Sequence, residues 1–149
     1  MTATIHASAV LVGATAVLIR GASGAGKSQL AFALIEAGRQ GLLPFARLVA
    51  DDRAVVEALN GRLLVRPAAP LAGLIEIRGL GIRRLPHEPV AVVGLVIDLG
   101  AADGERLPAP ESGETAVSGV VLPRLAVAPG TDALPLVLAA RSSRPMAGE

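Results

Sequence analysis

The stretch "RGASGAGKSQL", Arg20 to Leu30, decides the fold. Gly21-Ala22-Ser23-Gly24-Ala25-Gly26-Lys27-Ser28 fits G-x-x-x-x-G-K-[ST] at every fixed position. The glycines let the backbone turn and approach an anion with no Cβ in the way. Successive N–H groups and the start of a helix then face that anion. Lys27 is placed to reach the β- and γ-phosphates of a nucleotide, and the Ser28 hydroxyl to coordinate Mg²⁺. Lys27 is also the only lysine among the fourteen Lys and Arg residues of the chain. A compact, rotatable ammonium fits this cradle where a planar guanidinium does not, which gives the single lysine its reason.

A phosphate loop needs a strand before it and a helix after it. Ala14–Arg20 is short, apolar and rich in β-branched residues, as is Thr4–Val12, so both read as strands joined by a turn at Gly13. Ser28–Ala37 carries Leu30, Ala31, Leu34 and Ile35 on one face and reads as a helix, with Gly38 as its C-terminal cap. "RLVADD", ending at Asp52, is a short strand that runs into two acids. "AVVEALNGRLLVR", Ala54 to Arg66, holds two apolar runs around Asn60-Gly61, a hairpin signal. "VAVVGLVIDL", Val90 to Leu99, is another buried strand. Asp103–Gly113 is polar and rich in Gly and Pro, and is expected to be a mobile loop. Val120–Val127 and Leu134–Ala139 are expected as the last two strands. One helix among many strands makes residues 1–140 an α/β domain with a mixed, strand-rich sheet, and residues 141–149 a disordered tail.

Composition narrows the function. At 149 residues the chain suits one domain with a single core. Hydrophobic residues make up 52% and mean hydropathy is +0.56, yet no apolar run reaches the ~20 residues that cross a bilayer. The longest run, Ala7 to Ile19, has no basic segment before it and no cleavage site after it, so no signal peptide and no membrane association are expected. There is no cysteine, hence no disulfide framework and no thiolate metal site, which is compatible with a cytoplasmic location. Net charge is +1, the arginines are scattered, and there is no Tyr or Trp. Neither a phosphate-tracking surface nor a base-stacking platform is present, so nucleic acid is not an expected partner.

The loop binds phosphates but does not say what is done with them. Asp51 and Asp52 end one strand and Asp98 ends another, and either strand could supply the metal-side acid. Adjacent carboxylates at a strand end repel each other unless a cation or a proton transfer uses them. Such a pair can divide the work, one acid taking a proton from an attacking hydroxyl and the other serving the metal. A solvated turn is the alternative for Asp51-Asp52, and Asp98 before Leu99-Gly100 reads as a strand-end turn residue. Glu76 alternates with Ile75 and Ile77, and so faces either solvent or a site.

"GASGAGKS", "LVADDR" and "IEIRGLGI", in that order and spacing, resemble the catalytic domain of the HPr kinase/phosphorylase family, with His6 as a fourth point of likeness. The resemblance spans about Ile5 to Ala140 and is similar to the short form that lacks the N-terminal domain. It implies a phosphate-loop domain related to phosphoenolpyruvate carboxykinase in fold. It implies a cytoplasmic kinase that transfers phosphate from ATP, with Mg²⁺, to a serine of HPr or an HPr-like phosphocarrier of the sugar phosphotransferase system. Gly21 to Ser28 would hold the ATP phosphates, with Ser28 and Glu76 on the metal. Asp51 would be the base, with Asp52 in support. His6 would lie near the Asp pair, and Arg106 in "GERLP" near the transferred phosphate. Arg78 would shape the site wall. The family forms hexamers, so a homo-oligomer is the corresponding expectation. Where the family carries a basic loop, this chain has "LAVAPGTDALP", Leu125 to Pro135, with no Lys or Arg. Phosphorylase activity is therefore not expected. Two rival readings remain: another phosphate-loop enzyme acting on a small molecule, and a nucleotide sensor that does no chemistry.

Overall fold

The computed structural model describes residues 1–144 and 146. The strands are β1 (Thr2–Val12), β2 (Thr15–Arg20), β3 (Ala46–Ala50), β4 (Arg53–Leu59), β5 (Arg62–Pro67), β6 (Leu74–Ile77), β7 (Gly81–Arg84), β8 (Ala91–Leu99), β9 (Glu114–Val117) and β10 (Val120–Val127). The helices are α1 (Lys27–Arg39) and α2 (Ala133–Ser142). Eight strands form one mixed sheet that runs β2-β1-β4-β5-β8-β10-β9, with β3 on β1 and β2 also on β8. Among the described residues, only β2–β8 and β8–β10 are parallel strand pairs. The long β1 serves two layers. Thr2–His6 pairs with β4, and Ala7–Val12 pairs with β2 and β3.

This arrangement makes three layers. β2 is buried on both faces, and for that reason it lacks the usual polar alternation. Val17 and Ile19 face the helices, where they meet Leu34, Leu48 and Ile97. Leu18 faces the opposite way, into a second core with Val49, Val56, Leu63 and Val96 under the β4–β5 layer. The Asn60-Gly61 turn is as expected, with φ of 52° and 78°, values that a two-residue hairpin demands. β6 and β7 form a separate small hairpin beside α1.

Three expectations are corrected. Leu134–Ala139 is not a strand but the body of α2. Its apolar run is too short for periodicity to separate the two, and the deciding features are local. Asp132 caps the helix by accepting from Leu134 N–H at 3.1 Å, Pro135 falls in the first turn where a proline is tolerated, and Ala and Leu favour the helix. Helix α2 also runs on to Ser142, and Arg141 donates to the Val12 carbonyl at 2.9 Å, so the start of the expected tail is ordered. Residues 145 and 147–149 of that tail lie outside the described residues. Finally, Gly38 lies inside α1. The chain leaves the helix at Gly41, with φ 79°, through bonds from Gly41 N–H to Gly38 O and from Leu42 N–H to Ala37 O.

Candidate active site

β2 ends at Arg20, and the phosphate loop carries the chain from there into α1. Gly24 and Gly26 hold φ of 85° and 100°, a conformation that a side chain would strain. Lys27 is 7% exposed, and its Nζ donates to the carbonyls of Gly21 at 2.9 Å and Ala22 at 3.3 Å. The ammonium therefore lies curled along its own loop.

Two antiparallel neighbours bring the acids to this loop. β3 ends at Ala50 and is followed directly by Asp51-Asp52, and β1 passes between β3 and β2. Asp51 is 7% exposed and accepts three hydrogen bonds. Oδ1 takes Ser28 Oγ at 2.7 Å and Ser8 Oγ at 2.8 Å, and Oδ2 takes Glu76 N–H at 3.0 Å. Asp52 is different: it is exposed, with φ 67°. Its N–H donates to Ser8 Oγ at 3.2 Å and its carbonyl accepts Ala7 N–H at 3.1 Å. The strained backbone turns successive side chains to different places. Asp51 goes down to the phosphate-loop serine, and Asp52 goes out into a cavity of about 270 Å³ shared with Lys27, Ser28, Glu76 and Arg78.

Lys27, Ser28, Asp52, Glu76 and Arg78 line one cavity, and Asp51 lies beneath it, bonded to Ser28. Glu76 faces the site and not empty solvent, although it is exposed. His6 is exposed on β1 opposite Arg53, one residue from the backbone bond that holds Asp52. Arg106 is exposed in the segment after β8 and does not line the cavity. Ser8 was given no role. Its only signal was a hydroxyl interrupting the apolar run that starts at Ala7, and it is the group that ties Asp51 to Asp52.

Asp98 is also not a turn residue. It lies in β8, where Arg20 grips both its oxygens at 2.7 and 2.8 Å, and Arg124 of β10 donates to it at 2.5 Å. Burial raises its pKa, but the hydrogen bonds and charges of the two guanidinium groups outweigh this and hold the carboxyl below its ordinary value. Arg124 also binds Asp103 and the Ser112 carbonyl, tying down the segment expected to be mobile.

The residues fit Mg²⁺ and a nucleotide. Among the described residues no cluster of three or more His, Asp or Glu could cage a metal alone. A serine hydroxyl with one or two carboxylates is what Mg²⁺ needs when phosphates and waters complete its shell. Glycines with positive φ and a buried lysine would form the cradle for those phosphates. Among the described residues no helix is long and apolar enough to cross a membrane.

Known proteins share this architecture. The family model for the HPr Serine kinase C-terminal domain matches residues 1–86, which hold the phosphate loop, the Asp pair and the β6–β7 hairpin. An HPr kinase/phosphorylase of Clostridium beijerinckii is 38% identical over 78 residues, 52% of this chain and 24% of that protein. One from Streptococcus thermophilus is 44% identical over 80 residues, 53% of this chain and 24% of the other. The matched stretch is thus about a quarter of these relatives' length. The solved Hpr(Ser) kinase/phosphatase of Coxiella burnetii superposes with a TM-score of 0.72 at 26% identity, covering 91% of this chain and 86% of that one. With its phosphate loop, acid pair and hairpin inside the matched region, the chain belongs to the HPr serine kinase C-terminal domain family.

Proposed function

We propose that this domain transfers the γ-phosphoryl group of ATP to a seryl hydroxyl of HPr or an HPr-like phosphocarrier. The observation that carries the reading is the 2.7 Å bond from Ser28 to a buried Asp51, with Lys27, Asp52 and Glu76 around the same cavity. A sensor needs no exposed carboxylate beside the phosphates. A kinase needs one to take the proton of the attacking hydroxyl.

The geometry favours an exchange of the roles inferred for the two aspartates. Asp51 is buried and already accepts three bonds, so it suits the orientation of Ser28 better than the approach of a substrate. Asp52 is open and stands in the cavity. We assign proton removal to Asp52, and to Asp51 the support of Ser28 on the metal side. Mg²⁺, held by Ser28 and Glu76, would neutralise the charge of the phosphates. Lys27 would leave its loop carbonyls for the β- and γ-phosphates. Arg78 borders the cavity and would stabilise charge on the transferred group. His6 adjoins the Asp52 backbone and would influence the entry side of the site.

The test is incubation of the purified chain with HPr, Mg²⁺ and radiolabelled ATP, followed by mapping of the label. Phosphoserine on HPr supports the proposal. Phosphate released to water whether or not HPr is present would mark a hydrolase, and nucleotide binding with no turnover would mark a sensor.

A further inference from the structure

The phosphate loop has a second side. β2, β8 and β10 run parallel and end at one edge of the sheet, where ligands of open α/β sheets bind. On one flank of β2, β1 and β3 deliver the acids. On the other flank lie the segments that follow β8 and β10. Two adjoining cavities open there, of about 280 and 390 Å³, and both are lined by Ala25, Leu99 and Thr131. The larger also touches Gly24 at the loop tip and is closed by the turn Ala128-Pro129-Gly130. The smaller runs along α1 past Gln29. These volumes sit near the low end of the roughly 300–1,000 Å³ of small-molecule sites.

The chemistry of the two flanks differs sharply. The acid flank presents Lys27, Asp52, Glu76 and Arg78. The other presents no Lys or Arg at all, and its one acid, Asp132, is engaged as the cap of α2. Its walls are aliphatic, with the Thr131 hydroxyl and the Gln29 amide as polar side chains. A surface without cations does not attract a second phosphate. It suits the uncharged part of a molecule whose phosphates are already seated next door.

We propose that this flank holds the nucleoside of ATP, with the base against Leu99 and the Ala128–Thr131 turn. The proposal rests on the reading that Gly21–Ser28 takes the phosphates. It gives the stretch Leu125–Pro135, which carries no Lys or Arg, a positive role as the wall of a base site.

Binding of Mg–ATP and of inorganic tripolyphosphate to the full chain separates the two flanks. Thr131→Trp fills both cavities and should lower the ratio of ATP to tripolyphosphate affinity at least ten-fold, with tripolyphosphate binding unchanged. Pro129 is exposed at the rim, and the chain has no tryptophan, so Pro129→Trp gives a single emission signal. ATP should change that emission and tripolyphosphate should not. If Thr131→Trp weakens both ligands alike, the Pro129→Trp emission decides. Tripolyphosphate binding with an unchanged ratio, or an emission that answers both ligands equally, overturns the base site and leaves the phosphate site standing. A wild-type chain that binds neither ligand overturns the phosphate site, and the base site with it.

Discussion

Asp51 and Asp52 are adjacent, chemically identical, and placed in opposite situations. One is buried under three donors and the other stands in the open cavity. Asp52→Asn keeps the shape and removes the base. ATP affinity should stay near wild type while serine phosphorylation falls by on the order of 10²-fold or more. Asp51→Asn sets an amide NH2 against either the Glu76 N–H or the two serine hydroxyls, while its oxygen keeps the other side. It should weaken Mg–ATP binding and also cost about 1–3 kcal/mol of stability through unsatisfied buried groups. ATP affinity measured beside transfer rate for both variants checks the assignment. Wild-type ATP binding with lost transfer in Asp51→Asn would return the base to Asp51. Lys27→Arg keeps the charge, but it puts a planar guanidinium in place of the compact ammonium that donates to the Gly21 and Ala22 carbonyls. Transfer should fall about 10–100-fold, read as the initial rate at saturating ATP. At this scale the sequence drew notice to both acids but not to which of them is buried. The phosphate loop is legible because its spacing is its geometry. The split between the two acids depends on a φ of 67° at Asp52 and on a hydroxyl from Ser8, forty-four residues away along the chain, which no local pattern announces.

Among the elements, the strands were legible wherever apolar runs met turn residues, as at Gly13 and at Asn60-Gly61. α2 was not, because "LPLVLA" suits a strand and a helix alike, and only the Asp132 cap and the docking of Val137 into the core decide for the helix. The end of α1 was misjudged for a related reason. Gly38 reads as a cap but is retained for proximity: a Cβ there would lie 2.7 Å from Ala46 Cβ and 3.0 Å from its backbone nitrogen. Gly38→Ala gains up to about 1 kcal/mol of helix propensity and loses about 1–3 kcal/mol to overpacking. The balance should be destabilising, with a lowered denaturation midpoint in urea. A midpoint equal to wild type or higher would show that β3 yields freely. The segment after β10 supports a prediction on chemistry. The reverse reaction needs inorganic phosphate held as the attacking anion, and positive groups are the usual means. Residues Leu125–Pro135 border the phosphate loop without a single cation. Phospho-HPr incubated with phosphate should therefore release little pyrophosphate. Rapid release would mean that Arg78, which already borders the cavity, or Arg106 moving in, holds the attacking phosphate.

At the scale of the whole molecule, Asp98 joins what the loops and helices leave separate. Through Arg20 it fixes the last residue of β2, at the root of the phosphate loop, and through Arg124 it fixes β10 and the segment that carries Asp103 and Ser112. The pair is mostly out of solvent, with side-chain exposures of 17% for Asp98 and 14% for Arg124, while Arg20 keeps 30%. Of this network only Arg20 falls within the matched residues 1–86, and no motif marked it, because two arginines and an aspartate spread over a hundred residues have no spacing to read. Its energetics predict acid sensitivity. The Asp98 carboxyl is held below its ordinary value of 3.8 in the folded chain. Its contribution is thus complete above that value and is lost as pH falls through the lower, folded pKa. Wild-type stability should therefore fall steeply as pH drops below about 4. Asp98→Asn removes the titration and leaves two guanidinium groups without their anion. Removing one partner of a fully buried pair costs about 3–5 kcal/mol, and the water that still reaches Arg20 brings the expected loss to about 2–3 kcal/mol. For a chain of this length that is a drop of roughly 5–10 °C in Tm at neutral pH. Melting curves of both proteins from pH 7 to pH 3 test the point. The gap should be widest at neutral pH and should narrow in acid as the wild type loses what the variant never had. A gap that stays constant with pH would mean that Asp98 contributes through shape and hydrogen bonding alone, with its charge playing no part in holding the strand ends together.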